Sequence, residues 1–222
     1  MQKPLRREVV LELSGTALEG ELTRPEGCRA WVIFAHGSGS SRKSPRNTYV
    51  ARALNDAGFG TLLFDLLSAS ESVDRENVFD ISLLSYRLAQ ATDWLKGRPE
   101  AKGLPISYFG ASTGAAAALQ AAAEFQRDVF AVVSRGGRPD LAMEHLFGVC
   151  APVLLIVGGE DHGVMGLNVE AESRLQRARL AIVPGATHLF EEPGALEEVV
   201  RLATAFLSEC LERKGGSRHE VA

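Results

Sequence analysis

No stretch of this chain approaches the roughly 20 consecutive apolar residues that a membrane-spanning helix needs, so no membrane anchor is expected. Its first residues, MQKPLRREVVLELSG, hold neither an apolar core nor a small-residue cleavage site, which argues against a secretory leader. Cysteine is scarce. Cys28, Cys150 and Cys210 are odd in number and their spacing matches no zinc motif, so the expectation is reduced thiols in a cytoplasmic protein, with no metal. An excess of one charge is missing too: 24 Lys and Arg face 28 Asp and Glu, mixed along the chain. That balance lacks the basic face of a nucleic-acid binder. Neither an internal repeat nor a Gly/Pro/Ser-rich linker is visible, so residues 1–212 read as one domain, with 213–222 as a polar, flexible tail.

What the chain does have is alternation. At 45% hydrophobic residues over 222 positions it can bury a substantial core unaided. REVVLELSGTALEGELTRP reads as two strands about the turn Ser14-Gly15. After it, short apolar runs (AWVIFA, TLLFDL, PISYFG, VFAVVSR, APVLLIVGG, RLAIVPG) alternate with helical patterns. SPRNTYVARALNDAGFG has Pro45 near a helix start and Gly58 at its stop, and the last helix carries Leu196, Val199, Ala203, Phe206 and Cys210 on one stripe. Cys210 is therefore a core residue by pattern. Such alternation predicts an α/β fold: a mostly parallel twisted sheet, helices on both faces, and an antiparallel hairpin at one edge. Ligands then bind beyond the carboxyl ends of the strands. Those ends carry HGSGSS, DLLSASE, GASTG, SRGGRPD, GGEDHG and PGATH, which gathers the polar clusters on one rim.

The segment ISYFGASTGAAAAL holds Gly110-Ala111-Ser112-Thr113-Gly114 between a strand and a helix. In G-x-S-x-G the serine sits on a sharp turn, and strand and helix pass too closely for bulky side chains two residues to either side. The alanines after Gly114 let the helix lie close on the sheet. A serine hydroxyl needs a base, and the base needs an orienting acid. In this architecture they follow in the order Ser, acid, His. Asp161 in VGGEDHG and His188 in PGATHLF each follow a strand, in that order. Glu160 and Asp140 are alternative acids. His36 precedes the serine and is expected to brace a loop, His162 neighbours Asp161 and points elsewhere, and His145 and His219 fall in a helical stretch and the tail. The amides of Thr113 and of Ser38 in the HGSGSS loop, with Gly39 beside it, are the candidate oxyanion donors. HGSGSSRKS fits neither nucleotide-binding glycine pattern. Arg135 and Arg138 sit on the same rim, where either could hold a substrate carboxylate or pair internally with Asp140 or a loop glutamate. The longest insertion, LLSASESVDREN, is too short for a large lid, which favours small or accessible substrates.

FAHGSGSS, LLFDLL, GASTGAAAAL, RGGRPDLA, LLIVGGEDHGV and IVPGATHLFEEPGALEEV together resemble the α/β-hydrolase superfamily, and within it the dienelactone-hydrolase-like proteins, over roughly residues 30–210. The resemblance implies Ser112, Asp161 and His188 as a catalytic triad, Ser38 and Thr113 as the oxyanion hole, and no metal or cofactor. The enzymes that name the family carry cysteine at the elbow. Ser112 in its place points to serine-esterase chemistry on small carboxylic esters or lactones, in a monomer or small homo-oligomer. The alternatives are a non-catalytic small-molecule binder on the same frame, or an acyltransferase or perhydrolase. Similar domains occur fused to phosphoribosyltransferases, and this chain reads as the hydrolase part alone.

Overall fold

The computed structural model describes residues 3–125 and 129–216. Eight strands form one sheet: β1 (Leu5–Leu13), β2 (Thr16–Arg24), β3 (Ala30–Ala35), β4 (Phe59–Phe64), β5 (Ile106–Ala111), β6 (Val129–Arg135), β7 (Val153–Gly158) and β8 (Ala178–Val183). Their spatial order is β1-β2-β4-β3-β5-β6-β7-β8. The first two strands form the expected antiparallel edge hairpin, β2 meets β4 antiparallel, and every pair from β4 to β8 is parallel. Strands β3 to β7 are buried along their whole length. That explains why they read as continuous apolar runs rather than alternating ones.

The described residues hold six α-helices, α1 (Pro45–Asp56), α2 (Arg75–Phe79), α3 (Ile81–Lys96), α4 (Thr113–Glu124), α5 (His162–Arg174) and α6 (Ala195–Gly216), and all but the short α2 pack on the sheet. Val50 and Leu54 of α1 and Val199, Phe206 and Cys210 of α6 pack on one face. Leu84, Leu88 and Leu95 of α3 and the alanines of α4 pack on the other. Sequence order reverses around β3, whose neighbours are β4 and β5. The crossover helices leave on opposite faces there and open a crevice at the strand ends.

Local chemistry sets several boundaries. Ser44 caps α1 by accepting from the Asn47 amide, Pro45 takes the first turn, and Gly58 exits at φ +85°. The helical stretch around DLAMEHLF is a 3-10 segment, Pro139–Gly148, kinked at Ala142. Two details depart from the sequence reading. The stretch after Asp65 is not plain loop: it folds into a 3-10 turn at Glu71–Val73 and the short α2. The helix α6 continues through the start of the expected tail to Gly216, while Ser217 to Ala222, with His219, lies outside the described residues. Among the described residues no helix is long and apolar enough to cross a membrane.

Candidate active site

The turn between β5 and α4 is as tight as its glycines imply. A Cβ at Gly110 would come within 2.6 Å of the Gly114 carbonyl oxygen, and one at Gly114 would collide with the Ala35 and His36 carbonyl oxygens. Ser112 is held at φ 51°, ψ −121°. That backbone is strained for a residue with a side chain, and it stands the hydroxyl above the sheet. The conformation is fixed from both sides: the Ser112 amide donates to the Arg135 carbonyl at 3.2 Å, and its carbonyl accepts from Ala115 and Arg138.

The loops after β7 and β8 meet through another close approach. A Cβ at Gly158 would lie 2.7 Å from the Thr187 carbonyl oxygen, so only glycine admits the later loop here. The Gly159 amide donates to Val183 and the Glu160 amide to Ala186. This lacing brings Asp161 and His188 together. His188 Nδ1 lies 2.7 Å from Asp161 Oδ2, and Nε2 lies 3.3 Å from Ser112 Oγ. A carboxylate only accepts, so Nδ1 carries the proton and Nε2 presents a lone pair to the serine hydroxyl. The Asp161 side chain is 10% exposed and that of His188 37%. Although Asp161 stands at the N-cap of α5, its side chain makes no capping bond. The alternative groups are engaged elsewhere: Glu160 with His162, Asp140 with Arg138, and His145 with Glu124.

The loop between β3 and α1 is pinned against this centre. His36 Nε2 accepts from the Leu66 amide at 3.1 Å, and Nδ1 donates to the Gly37 carbonyl at 3.0 Å, so the ring is a neutral brace between two loops. Arg42 binds Asp65 through both its amide and its guanidinium, each at 2.7 Å. Gly37 to Ser40 form a turn closed by a 3.2 Å bond, with Gly39 at φ +68°, the geometry of a type II turn. The Ser38 amide donates to Thr113 Oγ1 at 2.8 Å. The Thr113 amide, first in α4, has no intrahelical acceptor.

Burial pushes the His36 imidazole below the ordinary 6.5, against the opposing pull of the Gly37 carbonyl and Asp65. A histidine kept neutral by folding protonates more readily in the unfolded chain. The stability it supports is complete above 6.5 and is lost as the pH falls from there towards its folded value. The urea midpoint is expected to drop on acidification from about pH 7 to about 5.5, and by less in His36→Gln. Equal drops in both proteins would assign the acid sensitivity to other groups.

A cavity of about 540 Å³ opens beside the Ser38–Thr113 contact, floored by Leu66, Leu67 and Leu84 and flanked by Val78 and Ser72. The small cap formed by the 3-10 turn and α2 closes one side of it. Glu71 holds that cap to α3 through a 2.9 Å pair with Arg87.

A crystal structure of a dienelactone hydrolase from Anabaena variabilis ATCC 29413 shares 52% identity with this chain, covers 94% of it and 99% of that protein, and superposes with a TM-score of 0.89. The chain belongs to the dienelactone-hydrolase-like α/β-hydrolases. Est1E from Butyrivibrio proteoclasticus, at 17% identity and a TM-score of 0.80 over 92% of this chain and 99% of its own, has the same fold. A Mycobacterium tuberculosis (strain ATCC 25618 / H37Rv) protein, provisionally named a phosphoribosyl transferase, is 57% identical over 202 residues. That match covers 90% of this chain and 46% of the relative, so this dienelactone-hydrolase-like chain spans about half the length of the curated relative. No family model matches.

Sequence reasoning placed Arg135 and Arg138 together on the rim but not their environments. Arg138 makes the internal pair, with Nε and Nη2 on Asp140 at 2.8 and 2.7 Å. Among the described residues Arg135 makes none: it is 7% exposed, and its Nε and Nη1 have no acceptor. Burial, reinforced by the charge of Arg46, lowers its guanidinium to about 10. The Thr113 hydroxyl on the Ser38 amide, and Arg46 beside Arg135, were missed. No local pattern marks either of them.

Proposed function

We propose that this chain is a serine hydrolase of small carboxylic esters or lactones, working through an acyl-enzyme. The observation that carries the reading is the continuous line from Asp161 Oδ2 to His188 Nδ1 and from His188 Nε2 to Ser112 Oγ, at 2.7 and 3.3 Å. Ser112 Oγ attacks the acyl carbon while His188 Nε2 takes its proton. Asp161 fixes the tautomer and stabilises the imidazolium. His188 then protonates the leaving oxygen. Water, deprotonated by the same nitrogen, attacks the acyl-enzyme and frees Ser112.

The negative charge on the tetrahedral oxygen is met by the Thr113 and Ser38 amides. In the resting site the Ser38 amide is occupied by the Thr113 hydroxyl. An oxyanion is a stronger acceptor than a neutral hydroxyl, so the amide turns to it as charge develops. Ser38→Pro tests this donor, because proline fits the second position of a type II turn and lacks only the N–H. Its kcat is expected to fall about 10²- to 10³-fold. Ser38→Ala, which keeps the amide, should fall far less. Equal losses in the two variants would remove Ser38 from the oxyanion hole.

The whole reading is tested by a fluorophosphonate probe followed by peptide mass spectrometry. The expected adduct is on Ser112, and labelling should be strongly slowed in His188→Ala. A protein that neither labels nor turns over 4-nitrophenyl butyrate is not a serine hydrolase.

A further inference from the structure

The cavity beside Ser38 and Thr113 lies on one side of the nucleophile, and the base on the other. Its described lining residues fall between positions 17 and 113, and none comes from the loops that carry Asp161 and His188. In the sheet, β2, β4 and β3, whose ends supply most of those walls, stand to one side of β5, and β7 and β8 stand to the other. His188 Nε2 delivers its proton to the leaving oxygen, so the leaving group lies on the His188 side. The acyl group then extends away from His188, past the oxyanion donors and into the cavity. A volume of about 540 Å³ is in the range of small-molecule sites.

The lining says what that acyl group carries. Among the described residues no lysine or arginine lines the cavity, whereas Asp65 and Glu19 do. One guanidinium, that of Arg42, serves both of them and Glu8 besides. An anionic acyl group would therefore meet carboxylates and no facing cation. Asp65 Oδ1 accepts the Arg42 amide and Oδ2 accepts Arg42 Nη1, each at 2.7 Å. A carboxylate has about four acceptor positions, so Asp65 can take further donors. Hydroxyls cover much of the remaining wall, from Ser38, Ser40, Ser41, Ser68, Ser72 and Thr113. Those of Ser38 and Ser40 have no hydrogen-bond partner among the described residues, and each can donate as well as accept. On the ligand, a carboxylate would only accept and an ammonium only donate. A hydroxyl does both, and sets no like charge against Asp65. The apolar floor of Leu66, Leu67 and Leu84 suits the carbon chain that bears it.

We propose that the acyl part of the substrate is uncharged and hydroxylated, so that this chain cleaves esters or lactones of hydroxy acids, with Asp65 and Ser40 receiving the acyl hydroxyl. The proposal rests on the serine-hydrolase reading above.

Ethyl 3-hydroxybutyrate and ethyl butyrate share a leaving group and chain length and differ by one hydroxyl, as do ethyl 3-hydroxyhexanoate and ethyl hexanoate. Their hydrolysis is followed in a pH-stat, and each kcat/KM is divided by the rate of the same ester with hydroxide, which removes intrinsic reactivity. The normalised ratio, hydroxylated over plain, is expected to exceed one in the wild type for at least one pair. For that pair it should fall about fivefold or more in Asp65→Asn and by a smaller factor in Ser40→Ala. Monoethyl glutarate should be a poorer substrate than ethyl pentanoate, and the penalty should shrink in Asp65→Asn. A merely structural Asp65 would lower both members of a pair together and leave their ratio intact. That result, wild-type ratios at or below one for both pairs, or a preference for monoethyl glutarate each overturns the proposal. If Asp65→Asn does not fold, the ratio in Ser40→Ala decides.

Should the wild-type protein cleave none of these esters, the hydrolase reading has failed, and the cavity is read directly with amides. 3-Hydroxyhexanamide raising the wild-type Tm more than hexanamide does, with that advantage lost in Asp65→Asn or Ser40→Ala, supports the site. Equal shifts from the two amides, or none, exclude it.

Discussion

Replacing Ser112 with alanine is expected to lower kcat for an activated ester by about four orders of magnitude or more, since nucleophile and base act as one unit. What survives is the modest rate that oxyanion donors and binding sustain without a nucleophile. The structure adds a second readout. Ser112 holds φ 51°, ψ −121°, which costs a residue with a Cβ about 1–3 kcal/mol. Alanine inherits that strain and glycine does not. Glycine's extra unfolded-state entropy costs only about 0.5–1 kcal/mol, so Ser112→Gly should be inactive yet melt above Ser112→Ala. Urea titrations of the two variants beside the wild type measure it. If Ser112→Ala retained turnover, the nucleophile would lie elsewhere. If glycine gave no gain over alanine, the elbow would not be strained.

Gly114→Ala is expected to cost more stability than any other single methyl group added to this chain. Its Cβ would collide with the carbonyl oxygens of Ala35 and His36 and come within 2.6 Å of the Ala35 carbonyl carbon. Backbone of a buried parallel strand cannot turn aside as a side chain can. Overpacking by one methylene already costs about 1–3 kcal/mol where side chains can move. Here about 4 kcal/mol or more is expected, a large share of the roughly 5–15 kcal/mol that holds a domain together. The control is Gly166→Ala, in the interior of α5 with open space around the added methyl. It should gain about 0.5–1 kcal/mol from helix propensity alone. Unfolding midpoints of both variants test the pair. A mild Gly114→Ala would mean that α4 can lift off the sheet, and the elbow would lose its rigid base.

These two glycines show how sequence and structure divide the information. Gly110 and Gly114 flank Ser112 at a spacing that only a strand-turn-helix of this tightness requires, so the elbow was legible locally. So was the sheet: buried parallel strands must be apolar on both faces, and the runs from AWVIFA to APVLLIVGG announced themselves. The sequence order Ser112, Asp161, His188 was legible as well, because each residue follows a strand and strand ends share a rim. The cap of Glu71–Val73 and α2 was not. It has no periodic apolar stripe, and its order comes from Glu71 reaching Arg87, 16 residues away. Helix α5 begins at His162, before its pattern becomes recognisable.

The sequence by itself determined the alternation that builds the sheet, the turn that exposes Ser112, and the rim on which the candidate acids and histidines follow it. Only the tertiary structure decided that Asp161 rather than Glu160 or Asp140 faces His188, and that His36 is a neutral brace. It alone showed that Thr113 Oγ1 occupies the Ser38 amide across 75 residues of chain, and that Arg138 takes Asp140 while Arg135 Nε and Nη1 find no acceptor among the described residues. The physical reason is the range of each determinant. Backbone conformation and burial pattern are imposed by neighbours in sequence. Which polar group satisfies which is settled at the junction of loops that only the assembled sheet brings together.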